Sequence, residues 1–298
     1  MIGLLLLLII AAAILLIGLS GVCAHTARMP PRRAAGWALA HSEPVSPEDK
    51  DIPYTEWTLE RPDGARVCIW DVPGKDPDAP PMVMLHGWSR SKLTWLVRLD
   101  WWQARSSRLL IPDLRGHGDS TPDGSTLGQQ DAEDIVAILE RAEIKEVVLV
   151  GRSLGSVVAI FSAALLQKID PQSVLGVIAV SPYERLAHTI RARLKQRSLP
   201  TVPIVFLGML FLKIRGMNDP STRNAAKKLS CPLLVIQGDS DPISNPADAE
   251  RITNAAEHGE LVMVEGAGHG DHWDLEKERL DNAVESFLMK IREDTPAH

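Results

Sequence analysis

The sequence predicts an α/β fold built on a mostly parallel sheet. From about residue 54 onward, an opening hairpin is followed by short apolar runs that alternate with helical patterns, as strand–helix–strand units require. At the centre, Val147-Val148-Leu149-Val150 is an apolar, β-branched run of the kind that a strand buried on both faces shows. It breaks at Gly151-Arg152-Ser153-Leu154-Gly155 and continues as an apolar helical stretch from Val157 to Phe161.

The elements follow in order. Tyr54–Leu59 and Arg66–Val72 alternate as two strands around the turn Pro62-Asp63-Gly64. Pro81–Leu85 is an apolar strand ending in His86-Gly87-Trp88, and a helix is expected from about Ser91 to Arg105. Arg108–Ile111 is a short strand, and the helix over 126–141 carries Ile135, Ile138 and Leu139 on one face. After the Ser153 unit come a strand at Val174–Val180, a stretch from 183 to 229 that breaks the rhythm, and a strand at Pro232–Ile236. A helix over 246–257, a strand over 260–264 and a final helix over 274–291 complete the chain.

At 298 residues, 45% hydrophobic and 23% charged, the chain has room for one large domain plus an extension. The net charge of −6 and the lack of an extended basic block do not describe a nucleic-acid surface. Cys23, Cys68 and Cys231 are too far apart for a metal-ligand spacing or a disulfide framework, and read as free thiols. Phosphate-cradling glycine loops, metal clusters and a dinucleotide fingerprint are also missing, so no cofactor and no metal are expected.

Residues 1–24 carry no charged side chain and are dominated by Leu, Ile and Ala. About 20 such residues in a helix cover the hydrocarbon layer of a bilayer. A secretory signal would have a basic start and a shorter apolar core, so the reading adopted is an uncleaved, single-pass anchor. Arg28, Arg32 and Arg33 follow the span, which places the C-terminal domain in the cytoplasm by the positive-inside bias. Val22-Cys23-Ala24 keeps the alternative of export after signal cleavage open. Residues 25–53, rich in proline and charge, read as a linker, and 54–292 as the folded domain.

A serine between a buried strand and a helix, flanked by glycines, is held on a sharp turn with its hydroxyl exposed above the strand end. The hydroxyl needs a base, and the base needs an acid to fix its tautomer. His86-Gly87-Trp88, the run Asp113 to Ser120, Gly151-Arg152-Ser153-Leu154-Gly155, Gly238-Asp239-Ser240-Asp241-Pro242 and Gly266-Ala267-Gly268-His269 occur in the order found in the α/β-hydrolase family, which residues 54–292 therefore resemble. The resemblance implies an eight-stranded, mostly parallel sheet with helices on both faces and a short cap after strand 6, here about 183–229. It also implies a catalytic triad of Ser153, Asp241 and His269, an oxyanion hole from the backbone N–H groups of Trp88 and Leu154, and a structural role for His86. Asp239 is the rival to Asp241, and His258 and His272 are the rivals to His269.

A serine rather than an aspartate at the turn points to acyl chemistry on a small-molecule or lipid ester, a thioester or an amide. A perhydrolase or C–C bond hydrolase would use the same triad, and a non-catalytic binding protein of this fold is the alternative from another class. Residues 201–212 form an apolar run too short to span a bilayer. They read either as a cap helix packed inward or as a lid that touches the membrane and admits an acyl chain.

Overall fold

In the computed structural model, which describes residues 1–294, a single eight-stranded sheet organises the chain. The strands are β1 (Thr55–Glu60), β2 (Arg66–Pro73), β3 (Met82–Leu85), β4 (Arg108–Pro112), β5 (Val147–Arg152), β6 (Val174–Val180), β7 (Leu233–Gly238) and β8 (Gly259–Val264), in the order β1-β2-β4-β3-β5-β6-β7-β8. β2 runs antiparallel to both β1 and β4, and the remaining neighbours are parallel.

The helices are α1 (Ile2–Arg28), α2 (Ala35–Ala40), α3 (Leu99–Gln103), α4 (Gln129–Arg141), α5 (Leu154–Ile169), α6 (Leu186–Gln196), α7 (Thr201–Ile214), α8 (Thr222–Ala226), α9 (Pro246–Thr253), α10 (His272–Leu275) and α11 (Lys277–Asp294). Alternation along β5 sorts the core. Val147 and Leu149 face one side with residues of α4, α5 and α9, while Val148 and Val150 face the other with residues of α3 and α11. Both faces of the central strands are thus dry, which is why these strands are continuous apolar runs rather than alternating ones.

Three expectations change in detail. The helix expected over 91–105 is a 3-10 segment, Lys92–Arg98, followed by the short α3. Its first residue is held by tertiary contacts: the Lys92 N–H donates to Asp113 at 2.7 Å and its ammonium lies 2.8 Å from Asp119. The final helix is split into α10 and α11. Residues 25–53 are neither extended nor free. α1 runs on through Arg28, α2 and a 3-10 turn at Pro47–Lys50 follow, and the segment is bound to the domain. The Ser125 N–H donates to the Arg28 carbonyl at 2.6 Å, and Arg32 donates to the Gly118 carbonyl and to Asp123.

Between β6 and β7 lie α6, α7 and α8, with α7 spanning the apolar run. Ile204, Val205 and Leu212 of α7, Ile190 and Leu194 of α6 and Ala24 of α1 close a third, smaller apolar cluster. Small residues allow the two helices to approach. Ser20 and Ala24 are buried, and a Cβ added at Gly208 would lie 3.6 Å from the Ser20 carbonyl oxygen.

Candidate active site

The turn after β5 carries Ser153 at φ +52°, the left-handed region that a serine adopts only when its surroundings enforce it. The flanking glycines enforce it by close approach. A Cβ at Gly151 would sit 2.2 Å from the Gly155 carbonyl oxygen, and one at Gly155 would sit 2.2 Å from that of Leu85. With no side chain at either position, β5, the turn and α5 close tightly, and the serine hydroxyl is left at the strand end.

Two further strand ends bring their residues to it. The Ser153 Oγ lies 3.0 Å from His269 Nε2, and His269 Nδ1 lies 2.8 Å from Asp241 Oδ2. His269 is in the loop after β8, and Asp241 follows β7. A carboxylate only accepts, so Nδ1 carries the ring proton and Nε2 presents its lone pair to the serine hydroxyl. The Asp241 carboxylate is buried and fully engaged: Oδ1 accepts from the N–H groups of Ile243 (2.8 Å) and Ser244 (2.9 Å), and Oδ2 also accepts from the Gln237 amide at 3.2 Å. Burial works against its charge. The His269 hydrogen bond, the attraction to that ring in its protonated form and the two backbone N–H groups outweigh it and hold the carboxyl below the usual range.

The rival residues are occupied elsewhere. Asp239 accepts from the Gly266 N–H at 2.9 Å and braces the loop. His258 is exposed in the turn before β8. His272 is buried, lies 3.1 Å from the Ser181 hydroxyl, and is kept neutral by burial, which pulls its pKa down to about 4. His86 accepts from the Leu114 N–H through Nε2 at 3.0 Å, so its Nδ1 donates to the Gly87 carbonyl at 2.9 Å. That neutral tautomer ties the loop after β3 to the loop after β4, which is a structural role.

Trp88 and Leu154 both lie beside the serine. Leu154 opens α5, where the first N–H groups have no carbonyl a turn behind them. Trp88 follows Gly87, at which a Cβ would lie 3.4 Å from the Ser153 Cβ. The Trp88 indole N–H donates to the carbonyl of Ala27, at the end of α1, at 2.8 Å.

Sequence reasoning missed Gln237, whose amide also donates to the carbonyls of Gly238 and Ser244. The signal was there, since one polar residue ends an otherwise apolar buried strand. Glu184, His188 and Asp248 come close enough to hold an ion, but Arg251 bonds both carboxylates and supplies the positive charge there.

A serine turn after the central strand, with an acid and a histidine from the ends of the last two strands, is a geometry that can carry out acyl transfer on a doubly wound α/β scaffold. A model of the alpha/beta hydrolase family matches residues 82–280, and the chain belongs to that family. Among curated proteins, it is 30% identical over 187 residues to a pimeloyl-[acyl-carrier protein] methyl ester esterase of Vibrio atlanticus, a match covering 59% of this chain and 66% of that protein. It is 34% identical over 242 residues to the bifunctional esterase/perhydrolase DCH of Acinetobacter calcoaceticus, covering 65% of this chain and 86% of that one. Among solved structures, a bacterial membrane phospholipase A superposes with a TM-score of 0.62 at 18% identity, over 98% of each chain.

Proposed function

We propose that this protein is a membrane-anchored serine hydrolase that cleaves carboxylic esters of medium or long acyl chains. The observation that carries the reading is the unbroken hydrogen-bonded line from Ser153 Oγ through the His269 ring to Asp241. In the first half-reaction, His269 Nε2 takes the Ser153 proton as Oγ bonds to the ester carbonyl carbon. The N–H groups of Trp88 and Leu154 meet the oxyanion that forms, and such donors contribute roughly 3 to 4 kcal/mol each. The tetrahedral species collapses, the C–O bond to the alcohol breaks, and His269 returns the proton to the departing oxygen. Water, deprotonated by the same nitrogen, then frees the acid from Ser153. Asp241 holds the tautomer and offsets the imidazolium charge throughout.

Two features support a lipid-like substrate. α1 is a 27-residue helix with an 18-residue stretch of mean hydropathy 3.2, long and apolar enough to cross a membrane, and its C-terminal half packs along α7. α7 leaves Val202, Phe206 and Ile214 exposed by 69%, 70% and 73%, with Leu210 between them, a stripe repeating each turn. A lipid phase around α1 would cover it. The arginines after α1 favour a cytoplasmic domain. The likeness to the membrane phospholipase A takes in α1, since it extends over 98% of the chain.

A fluorophosphonate probe should label the protein and fail to label Ser153→Ala, which keeps its fold. Labelling that persists in the variant would remove Ser153 from the mechanism. Across p-nitrophenyl esters from acetate to palmitate, kcat/KM should rise roughly tenfold for each added pair of carbons until the pocket is full, from about 0.8 kcal/mol per buried CH₂. A steady fall from acetate onward would leave a small-ester hydrolase.

A further inference from the structure

α1 does not end in solvent. Its 27 residues measure about 40 Å at about 1.5 Å per residue, against about 30 Å of hydrocarbon, so the last turns reach past a bilayer to the domain. A helix leaves its final carbonyls without intrahelical donors. Two loops of the domain supply them here. The Trp88 indole N–H donates to the Ala27 carbonyl at 2.8 Å, and the Ser125 N–H donates to the Arg28 carbonyl at 2.6 Å.

Trp88 connects this helix end to the serine. Its side chain is shared by two apolar clusters, the one that holds Leu154 and Val158 of α5 and the smaller one that holds Ala24 of α1 and Ile204 of α7. The exposed Arg193 lies over it, with the guanidinium 5.1 Å from the ring centre. On the other side, Gly87 puts no side chain between this loop and the nucleophile, since a Cβ there would lie 3.4 Å from the Ser153 Cβ. The indole and the backbone N–H of Trp88 hang on one Cα, so whatever fixes the ring limits where that N–H points. An oxyanion donor acts within about 2.7 to 3.1 Å of the oxygen it meets, so a small swing of the loop removes most of its contribution.

We propose that the C-terminal end of α1 is a positioning element of the active site: the Ala27 carbonyl holds the Trp88 indole, and the held indole sets the Trp88 backbone N–H against the oxyanion. The inference rests on the ester-hydrolase reading and gives the anchor a role beyond nearness to lipid. Turnover of an ester dissolved in water, which needs no membrane, then depends on how α1 is seated. The seat is the close approach of α1 and α7, where a Cβ at Gly208 would lie 3.6 Å from the Ser20 carbonyl oxygen. A side chain larger than a methyl group there pushes α1 off α7. The hydrogen-bonded helix moves as one body, and Ala27, about two turns beyond Ser20, goes with it.

The test is a double-mutant cycle on the full-length protein in detergent micelles, read as kcat and KM for p-nitrophenyl acetate. Rates are expressed per active site titrated with the fluorophosphonate probe, so partial unfolding does not register. Trp88→Phe keeps a ring between the two clusters and removes the N–H. It should lower kcat about three- to tenfold, the scale of one hydrogen bond, with KM within about twofold of wild type, because the interaction is made in the transition state. Gly208→Leu unseats α1 and should lower kcat to a similar extent from outside the site. Ser20→Leu wedges the same contact from α1 if α7 does not fold with its change. The double variant should lose no more than the larger single loss, since both changes remove the same contact. An unchanged kcat in either single variant, a loss confined to KM, or losses that multiply in the double variant would overturn the coupling. Those outcomes leave wild-type turnover and labelling intact, whereas a wild type that showed neither would sink the hydrolase reading and this coupling with it.

Discussion

At the scale of single residues, two aspartates two positions apart do different work because of what surrounds them. Asp241 accepts four hydrogen bonds, from His269, Gln237 and two backbone N–H groups, and has no rotational freedom left. Asp239 accepts from Gly266 and Ser240 and touches no triad member. Asp241→Asn replaces an acceptor with a group that can donate to Nδ1 only if the ring proton moves to Nε2, which then cannot take the serine proton. In Ser-His-Asp enzymes the corresponding change costs kcat about 10⁴-fold. Steady-state ester hydrolysis should show a loss of that order for Asp241→Asn and a mild one for Asp239→Asn. The reverse ranking would move the acid to Asp239.

At the scale of elements, α1 and α7 form one unit. α7 buries Ile204, Val205, Gly208 and Leu212 against α1 and the rest of the insertion, and turns its opposite stripe outward. The inward-packing reading of residues 201–212 therefore holds for one face of the helix, and the opposite face is exposed. Phe206 is mostly exposed, so Phe206→Glu should change thermal stability by no more than about 0.5 kcal/mol. If the stripe lies in lipid, the same variant should lose activity on ester embedded in vesicles relative to a soluble p-nitrophenyl ester. An unchanged ratio would return α7 to a purely structural role.

At the scale of the whole molecule, acid should unfold this protein early. His86 and His117 stack edge to face beneath the site at 5.1 Å, and His272 is buried beside Ser181. Burial lowers all three pKa values, to about 4 for His86 and His272 and about 3 for His117, where the neighbouring His86 adds to the effect. The folded state keeps these rings neutral while the unfolded chain binds protons below its ordinary value of 6.5. The unfolded state thus gains protons first as pH falls, so stability drops below about pH 6.5, by about 1 to 2 kcal/mol for each ring at pH 5. Urea midpoints measured from pH 7.5 to 5 should decline over that window. A midpoint that stays flat down to pH 5 would mean that the rings are charged in the folded state.

The order of strands and helices and the turn at Ser153 were legible in the sequence because local chemistry dictates them, whereas Asp241 and His269 came from the resemblance to a family. Buried parallel strands must be apolar runs, and the nucleophile turn tolerates only glycine where Gly155 and Leu85 backbone atoms press in. The choice between the two aspartates by residue pattern alone was an analogy. Folding replaced it with a distance, because only the packed loops decide which carboxylate meets Nδ1. Gln237, the neutral His272 and the seating of α1 on α7 lay beyond a one-dimensional reading for the same reason. Each depends on partners 4 to nearly 200 residues away in the chain, and a side chain's hydrogen bonds and hydration are set by neighbours in space.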